Sequence, residues 1–183
     1  MSKVPFYLNI SRLITLGVLF CFIACNTAPS NKKYPSKPIT YIVPWAPGGM
    51  TDLSSRMLAA SLQKYLDVPV NVVNRTGGGG VVGHLALSRA RPDGYTIGAV
   101  TGEITQMHHM GLTDLTYANY TPLALILNNP AGITVRADAP YQDINDLVNA
   151  LRLNPGSLKC SGTARGGIWD LARLGFLQAA GLE

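Results

Sequence analysis

Cysteine is scarce in this chain of 183 residues, which contains three. Cys21 and Cys25 lie near the N-terminus, so Cys160 is alone in the remainder and has no partner for an internal disulfide. A catalytic thiol needs a neighbouring histidine, and the three histidines fall between residues 84 and 109. We therefore interpret Cys160 as a small buried residue at the end of a strand rather than as a nucleophile.

The motifs of two large enzyme classes are also absent. The chain has no Gly-x-Ser-x-Gly segment, which excludes the nucleophile turn of α/β-hydrolases. No lysine follows its glycine-rich segments in the spacing of a phosphate-binding loop, which excludes that type of nucleotide site. His108 and His109 are suitable ligands for copper or zinc, but adjacent histidines point in different directions. We therefore predict no metal site and no cofactor.

Acidic residues are missing from the first 37 positions, which hold five basic ones. The remainder holds ten basic and ten acidic residues and is therefore neutral. A nucleic-acid-binding domain needs its positive charge on the folded surface. The net charge of +5 therefore does not indicate nucleic-acid binding.

One long apolar run is present, from Leu13 to Ala24, and two basic residues precede it. It is long enough for the core of a signal peptide and too short to span a bilayer. The run ends in Phe22-Ile23-Ala24-Cys25, which resembles a bacterial lipobox, although phenylalanine stands where leucine is usual. We predict a signal peptide over residues 1–25, lipidation at Cys25 or ordinary cleavage nearby, and a polar tether over residues 26–37.

From residue 34 onward, the apolar patterns of strands and helices alternate. The predicted strands cover residues 39–43, 69–74, 95–100, 120–127, 133–136 and 158–161. One predicted helix begins near Leu53, and three others cover residues 82–90, 143–153 and 168–180. Strand–helix units of this kind imply parallel pairing with right-handed crossovers. The sequence therefore predicts an α/β fold.

Three loops are expected to meet at one end of this sheet, because ligands of parallel sheets sit beyond the carboxyl ends of the strands. The loops cover residues 44–52, 74–80 and 101–103. The first joins a strand to a helix through two prolines and two glycines, and we predict that Thr51 or Asp52 caps the helix. Exposed N–H groups and the helix dipole at such a loop favour an anion, so we predict that it binds a carboxylate.

A second glycine pattern leaves an alternative open. The segment Gly78-Gly79-Gly80-Val81-Val82-Gly83 satisfies the dinucleotide fingerprint Gly-x-Gly-x-x-Gly, and Glu103 follows about 20 residues later. The alternative function is therefore an NAD-binding enzyme of the Rossmann type. Two observations oppose it, since consecutive glycines satisfy the pattern trivially and a leader peptide directs the chain away from free NAD.

Four linked segments carry a family resemblance: Tyr34-Pro35-x-Lys37-Pro38-Ile39, Val43-Pro44-x-x-Pro47-Gly48-Gly49-x-x-Asp52, Asn74-Arg75-x-Gly77-x-Gly79-Gly80-x-x-Gly83 and Pro92-Asp93-Gly94-Tyr95-Thr96. Pro140-Tyr141, Asn154-Pro155-Gly156 and the glycine loop at 162–167 continue it. Together they resemble the solute-binding proteins of tripartite tricarboxylate transporters, the Bug family. The resemblance covers the chain from Tyr34 to Glu183.

The resemblance implies a periplasmic-binding-protein-like (type II) fold, whose two lobes clamp a small carboxylated solute. It implies a non-enzymatic protein of the periplasm that serves the membrane permease subunits of a transporter. The ligand-binding residues that it implies lie on the glycine loops and the third converging loop: Pro47, Gly48, Gly49, Asp52, Gly77, Gly79, Gly80, Thr101, Gly162 and Thr163. Because an acidic side chain repels an anion, we assign Asp52 to capping or loop order. Arg165 departs from the small residues usual there, and its guanidinium is suited to pair with a carboxylate.

The length of the chain is the main departure from the family. The family's chain completes its second lobe, whereas this one ends at Gly181-Leu182-Glu183. We therefore expect a first lobe over residues 34–130, with parallel βαβ units, and an incomplete second lobe over residues 131–183. A fragment of this kind is expected to bind its solute weakly. A ligand-sensing lipoprotein that signals to a membrane partner is the remaining alternative.

Overall fold

The computed structural model describes residues 33–162 and 166–182. It divides the chain into two compact units, residues 1–36 and 37–183, and all that follows concerns the second. The predicted signal peptide, its lipidation site Cys25 and most of the tether lie outside the described residues. None of the helices in the described part is both long enough and apolar enough to cross a bilayer.

The described residues of the second unit contain three strands and four α-helices. The strands are β1 (Ile39–Val43), β2 (Val70–Asn74) and β3 (Thr96–Gly98). The helices are α1 (Met50–Leu66), α2 (Val81–Ser88), α3 (Ile144–Leu153) and α4 (Ile168–Ala179). Short 3-10 turns cover Gly78–Gly80, Gly102–Thr105 and Tyr117–Asn119. The first strand and all four helices lie where the sequence predicts them, with ends shifted by up to three residues.

The three strands form one parallel sheet in the order β2-β1-β3. Ile39 of β1 pairs with Val70 of β2, and Ile42 pairs with Gly98 of β3. The central strand is buried along most of its length, because α1 packs on β1 and β2 while α2 packs on β1 and β3. Burial on both faces is the condition under which a parallel strand is continuously apolar, as β1 is. The predicted parallel βαβ arrangement is confirmed.

Gly83 lets α2 approach the loop that follows β1. A Cβ atom at this position would lie 2.5 Å from Pro44 Cα and 2.6 Å from the carbonyl oxygen of Arg75. No side chain fits at such distances, so glycine is required for close backbone packing. This contact holds the N-terminal half of α2 against the carboxyl ends of β1 and β2.

A second apolar cluster anchors the segment after β3. Ile104, Met107 and Leu115 are buried together, with Val81 and Leu85 of α2 packed against them. In addition, the Tyr120 hydroxyl donates to the carbonyl oxygen of His84 over 2.9 Å. Residues 101–120 are thereby fixed to α2 even though they contain no strand and no α-helix.

The strands predicted at 120–127, 133–136 and 158–161 are not formed, and those predictions are wrong. Residues 121–138 are exposed throughout, with 87% of Leu125 accessible. Their apolar pattern provides β-propensity, but a strand also requires the N–H and C=O groups of a partner strand. No strand of the described residues pairs with these segments. Cys160, predicted to be buried at a strand end, is consequently exposed.

The last two helices begin with different devices. Asp143 caps α3, since its Oδ1 accepts from the N–H groups of Asn145 and Asp146 over 2.8 and 3.0 Å. These hydrogen bonds lower the pKa of the Asp143 carboxyl group. Helix α4 has Gly167 at its N-cap and no side-chain cap. Arg152 of α3 donates to the carbonyl oxygen of Ala180 just after α4, over 2.8 Å.

Candidate functional site

The three predicted loops meet at the carboxyl ends of the strands, and side chains tie them together. Trp45, after β1, donates its indole N–H to Thr101 Oγ1 over 3.2 Å. Thr101, after β3, donates its backbone N–H to His84 Nε2 over 3.2 Å. His84 Nδ1 lies 2.7 Å from the carbonyl oxygen of Gly80, in the loop after β2. The predicted convergence of the three loops is therefore observed.

These contacts determine the protonation state of His84, whose side chain is fully buried. A carbonyl oxygen can only accept, so Nδ1 carries the hydrogen, and Nε2 is then free to accept from Thr101. Burial lowers the pKa of His84, partly opposed by the Gly80 hydrogen bond and the charge of Glu103. The neutral imidazole thus joins the second and third loops.

Asp52 organises the first loop. Its Oδ2 accepts from the backbone N–H of Gly48 and from Arg56 Nε, each over 2.9 Å. Its Oδ1 accepts from Asn74 Nδ2 over 2.9 Å, and that amide group also donates to the carbonyl oxygen of Trp45 over 2.8 Å. Arg56 completes the network by donating to Asn74 Oδ1 over 3.0 Å. The loop after β1 is thereby fastened to the end of β2.

The carboxylate of Asp52 is kept ionised by these donors. The hydrogen bond from Arg56 has the largest effect, followed by those from Gly48 and Asn74, and together they hold the pKa of Asp52 well below its usual range despite its burial. The side chain is 2% exposed and all its bonds are internal to the loop network. Asp52 therefore orders the loop, which is one of the two roles predicted for it, the other being to cap the helix.

The predicted N-cap of α1 is wrong. The N-cap residue is Gly49, and Thr51 and Asp52 lie inside the first turn. No side-chain hydrogen bond caps the N-terminus of α1, because the carboxylate of Asp52 accepts from the backbone N–H of Gly48 instead. The first turn of a helix has N–H groups without intrahelical acceptors, and here they face an exposed loop. This end of α1 can therefore donate to an anion, with the dipole in its favour.

The loop after β2 has four consecutive glycines with positive φ. The angle is +129° at the first, Gly77, and +98° at the last, Gly80. The carbonyl oxygen of Gly77 accepts from the N–H groups of Gly80 and Val82. Within the described residues, no acceptor is found for the N–H groups of Gly78 and Gly79. A Cβ atom at Gly80 would lie 3.3 Å from Trp45, His84 and Met107. The loop thus combines unused backbone donors with close approach to its neighbours.

A narrow crevice lies among the three loops, with a volume of about 20 Å³. Room of this size admits about one water molecule. The described residues that line it are Trp45, Gly79, Glu103, Gln106, Met107, Met110, Leu112, Gly166 and Gly167. Gln106 is 8% exposed, and among the described residues neither its amide oxygen nor its amide nitrogen has a hydrogen-bond partner. The crevice therefore contains a buried polar group that is not satisfied by the described protein atoms.

The predicted ligand-binding residues fall into three groups. Pro47, Gly48 and Gly49 are exposed beside the start of α1. Gly79 lines the crevice, while Gly77, Gly80 and Thr101 belong to the loops after β2 and β3 without lining it. Gly162 is exposed and does not line the crevice, whereas Gly166 and Gly167 do. Thr163 and Arg165 lie outside the described residues. The role of all these residues in ligand binding stays a prediction.

A larger groove, of about 370 Å³, lies elsewhere, along α1 and the open edge of β2. It is lined by residues such as Gln63 and Val72, and by Arg56, which also belongs to the Asp52 network. An unpaired parallel edge beside a helix produces such a groove wherever a sheet ends. The convergent donors, rather than the volume, identify the crevice as the candidate site.

The geometry does not favour the dinucleotide alternative. In a Rossmann fold, the acidic residue that binds the ribose follows the strand next to the one that bears the glycine loop. Here the glycine loop follows β2 and Glu103 follows β3, and β1 lies between them. Gly83, the last glycine of the pattern, is explained by its contact with Pro44. No cluster of three potential metal ligands occurs in the described part of the chain.

Comparison with known proteins finds relatives that all belong to one family of transporter receptors. The model of the family described as "Tripartite tricarboxylate transporter family receptor" matches residues 54–183. BugT from Bordetella pertussis is 36% identical over 142 residues, which are 77% of this chain and 36% of BugT. A TctC solute-binding protein from Polaromonas, solved without ligand, is 33% identical with a TM-score of 0.63, over 82% of this chain and 51% of that one.

MatC from Rhodopseudomonas palustris, solved with bound malate, has the same fold with a TM-score of 0.64 at 22% identity, over 82% of this chain and 52% of MatC. These likenesses confirm the predicted α/β fold of the periplasmic-binding-protein type for the shared part. The chain spans about half the length of the relatives it matches.

Proposed function

The chain belongs to the tripartite tricarboxylate transporter receptor family, and we propose that it acts as a solute-binding receptor for small organic carboxylates rather than as an enzyme. The observation that carries the proposal is the convergence of two backbone anion donors. They are the uncapped start of α1 and the glycine loop at residues 77–80. They follow the carboxyl ends of the neighbouring strands β1 and β2, the end of the sheet at which parallel α/β proteins bind ligands.

Backbone donors suit a carboxylate for a physical reason. Hydrogen bonds from N–H groups to a charged acceptor contribute about 1.5–3 kcal/mol each, and a rigid loop loses little entropy when they form. The Asp52 network holds the loop after β1, and His84 holds the loop after β2 to Thr101. The donors are therefore positioned before the solute arrives.

The whole receptor is proposed to have two lobes. Residues 34–130 form the first, and residues 131–183 contribute part of the second, whose loop at 162–167 closes on the solute from the other side. Gly166 and Gly167 at the crevice support this arrangement. We propose Thr163 and Arg165 as further contacts, since a guanidinium pairs with a carboxylate through two parallel hydrogen bonds.

The proposed location is the periplasm, and the proposed partners are the membrane permease subunits of a tripartite transporter. The description of the family as a transporter receptor supports both. The apolar run at residues 13–24 supports export through a signal peptide. Lipidation at Cys25 stays a prediction, which radiolabelled palmitate incorporation tests against a Cys25→Ala variant.

The binding test uses the intrinsic fluorescence of Trp45 in a Trp169→Phe background, so that the signal comes from the site. We expect saturable changes on titration with succinate or malate and none with NAD. Saturation by NAD, or a flat response to every di- and tricarboxylate tried, would overturn the proposed function.

A matched pair of glycine variants identifies the donors. Gly79 (φ +63°) and Gly156 (φ +72°) share a positive φ, and a Cβ atom would meet nothing within 4 Å at either. Gly79→Ala distorts a proposed donor loop, whereas Gly156→Ala distorts a turn after α3. We expect Gly79→Ala to raise the Kd for the carboxylate about tenfold and Gly156→Ala to leave it unchanged. Equal effects of the two would contradict the assignment of the glycine loop.

A further inference from the structure

The starting observation is the unsatisfied amide group of Gln106. Both of its polar atoms are buried without a hydrogen-bond partner in the described residues, and the residue is 8% exposed. Leaving buried donors and acceptors unpaired is costly, and native proteins rarely do so without a bound water or ligand. A group that enters the crevice lined by Gln106 satisfies this amide once the side chain turns toward it.

The backbone of Gln106 is fixed on both sides, so its direction is not accidental. Its N–H group donates to the carbonyl oxygen of Glu103 over 3.0 Å, and its own carbonyl oxygen accepts from Met110 over 3.1 Å. Met107, the next residue, is 1% exposed in the apolar cluster under α2. The backbone that carries the Gln106 side chain is therefore anchored beside the crevice.

The chemistry of the crevice restricts the group that can enter it. An amide offers a donor and an acceptor together, and a hydroxyl group can satisfy both. Glu103, 7% exposed on the same wall, repels a carboxylate and accepts from a hydroxyl. The volume of about 20 Å³ suits a group of the size of one water molecule. The size, charge and hydrogen-bonding groups of the crevice therefore all favour a hydroxyl group as its occupant.

We propose that Gln106 is a specificity-determining residue that binds a hydroxyl group next to the carboxylate of the solute, so that the receptor selects hydroxy-substituted carboxylates. The inference rests on the proposed function. In the solute-free protein a water molecule takes the position of the hydroxyl group, and the solute displaces it. A solute that displaces this water without supplying a hydroxyl group leaves the amide unsatisfied.

The test compares malate with succinate, which differ by one hydroxyl group, in the full chain with the Trp169→Phe background. We expect malate to bind at least about tenfold more tightly, equivalent to about 1.4 kcal/mol. Gln106→Leu should abolish this preference while changing the Kd for succinate less than threefold. Gln142→Leu, on an exposed glutamine, is the matched control and should preserve the preference.

A second readout separates recognition from a structural role. Because its amide has no partner among the described protein atoms, replacing Gln106 with leucine or methionine removes no hydrogen bond within the protein and should leave the melting temperature without solute unchanged or higher. A lower melting temperature for both variants would overturn the proposal, since Gln106 would then support folding.

The outcomes also distinguish this inference from the function on which it rests. Equal affinities for malate and succinate, or a preference that survives Gln106→Leu, would overturn the role of Gln106 and leave carboxylate binding intact. Failure of both acids and of unsubstituted longer dicarboxylates to bind would overturn the proposed function, and the inference with it.

Discussion

Residues 37–120 and the described part of residues 121–182 differ in how deeply their polar side chains are buried. In the first region, Asp52 and His84 are buried and connect loops that are distant in sequence. In the second, Arg136 and Asp138 form an ion pair between neighbours, with 84% and 67% of their side chains exposed. The difference teaches that burial, rather than the number or the sequence separation of polar contacts, distinguishes the region whose loops are fixed to one another, since the exposed Arg152 also bonds to a residue 28 positions away.

The largest effect is expected where the first region depends on backbone contact. Gly83→Ala places a Cβ atom 2.5 Å from Pro44 Cα, which forces α2 away from the loop after β1. We expect a loss of about 3 kcal/mol in the free energy of unfolding, at the upper end for overpacking. Urea denaturation followed by circular dichroism measures it.

The matched change in the second region is Gly175→Ala in α4. A Cβ atom there would meet nothing within 4 Å, so alanine should stabilise the helix by up to about 1 kcal/mol. A loss of stability at Gly175, or none at Gly83, would contradict the contrast between the two regions.

The next effect concerns the Asp52 network. Asp52→Asn replaces a buried carboxylate that accepts from Gly48, Arg56 and Asn74 with an amide that can no longer accept at both oxygens. We expect a loss of about 2 kcal/mol in unfolding free energy, together with weaker carboxylate binding, because the loop after β1 is released. Denaturation midpoints and the Trp45 titration report the two consequences.

The same carboxylate makes stability depend on pH. Its pKa in the folded protein is lowered, whereas the unfolded value is near 3.9. The unfolded state therefore binds the proton first as the pH falls, so the contribution is fully present above about pH 4 and is lost below it. Asp52→Asn should lose less stability than the wild type between pH 5 and about pH 3, and an identical acid profile would count against an ionised, buried Asp52.

His84 provides a third and smaller effect, at higher pH. Burial lowers its pKa below the value of about 6.5 in the unfolded chain. The unfolded state again binds the proton first, so stability is present above about pH 6.5 and falls by up to about 1.4 kcal/mol per pH unit as the pH drops below it. Protonation also removes the acceptor that Thr101 uses.

A His84→Gln variant keeps a donor and an acceptor but does not titrate. Its denaturation midpoint should therefore change less than that of the wild type between pH 8 and pH 5.5. His109→Gln, at an exposed histidine, is the control and should keep the wild-type dependence. If the His109 variant lost the dependence and the His84 variant kept it, the assignment to the buried imidazole would be wrong.

Sequence patterns predicted the elements of the first region well because burial and pattern coincide there. β1 covers Ile39–Val43 as predicted, since a strand buried on both faces reads as a continuous apolar run. The same reasoning failed at residues 120–136, where β-branched and apolar residues are present but no partner strand of the described chain is. Strand propensity is local, whereas strand formation depends on a second segment.

The organisation of the site was predicted only in part. The meeting of the loops followed from parallel topology, whereas the partners of Asp52 and His84 did not, because Asn74 and Thr101 lie 22 and 17 residues away along the chain. A polar residue at the carboxyl end of a strand, such as Asn74, was the available signal. No sequence pattern indicated Gln106, since its burial depends on how residues 101–120 pack on α2.

The smallest expected effect belongs to the ion pair with the best geometry. Arg136 donates from both Nε and Nη2 to the two oxygens of Asp138, a bidentate arrangement, yet both side chains are mostly exposed. Water and salt screen such a pair, and ordering two side chains costs entropy, so Asp138→Asn should change the unfolding free energy by less than about 0.5 kcal/mol. The comparison with Asp52→Asn holds the substitution constant, whereas burial, the separation of the partners and the number of donors all differ. If the two variants lost similar stability in urea, burial would not be what makes the first region rigid, and rigidity would give no reason to place the site there.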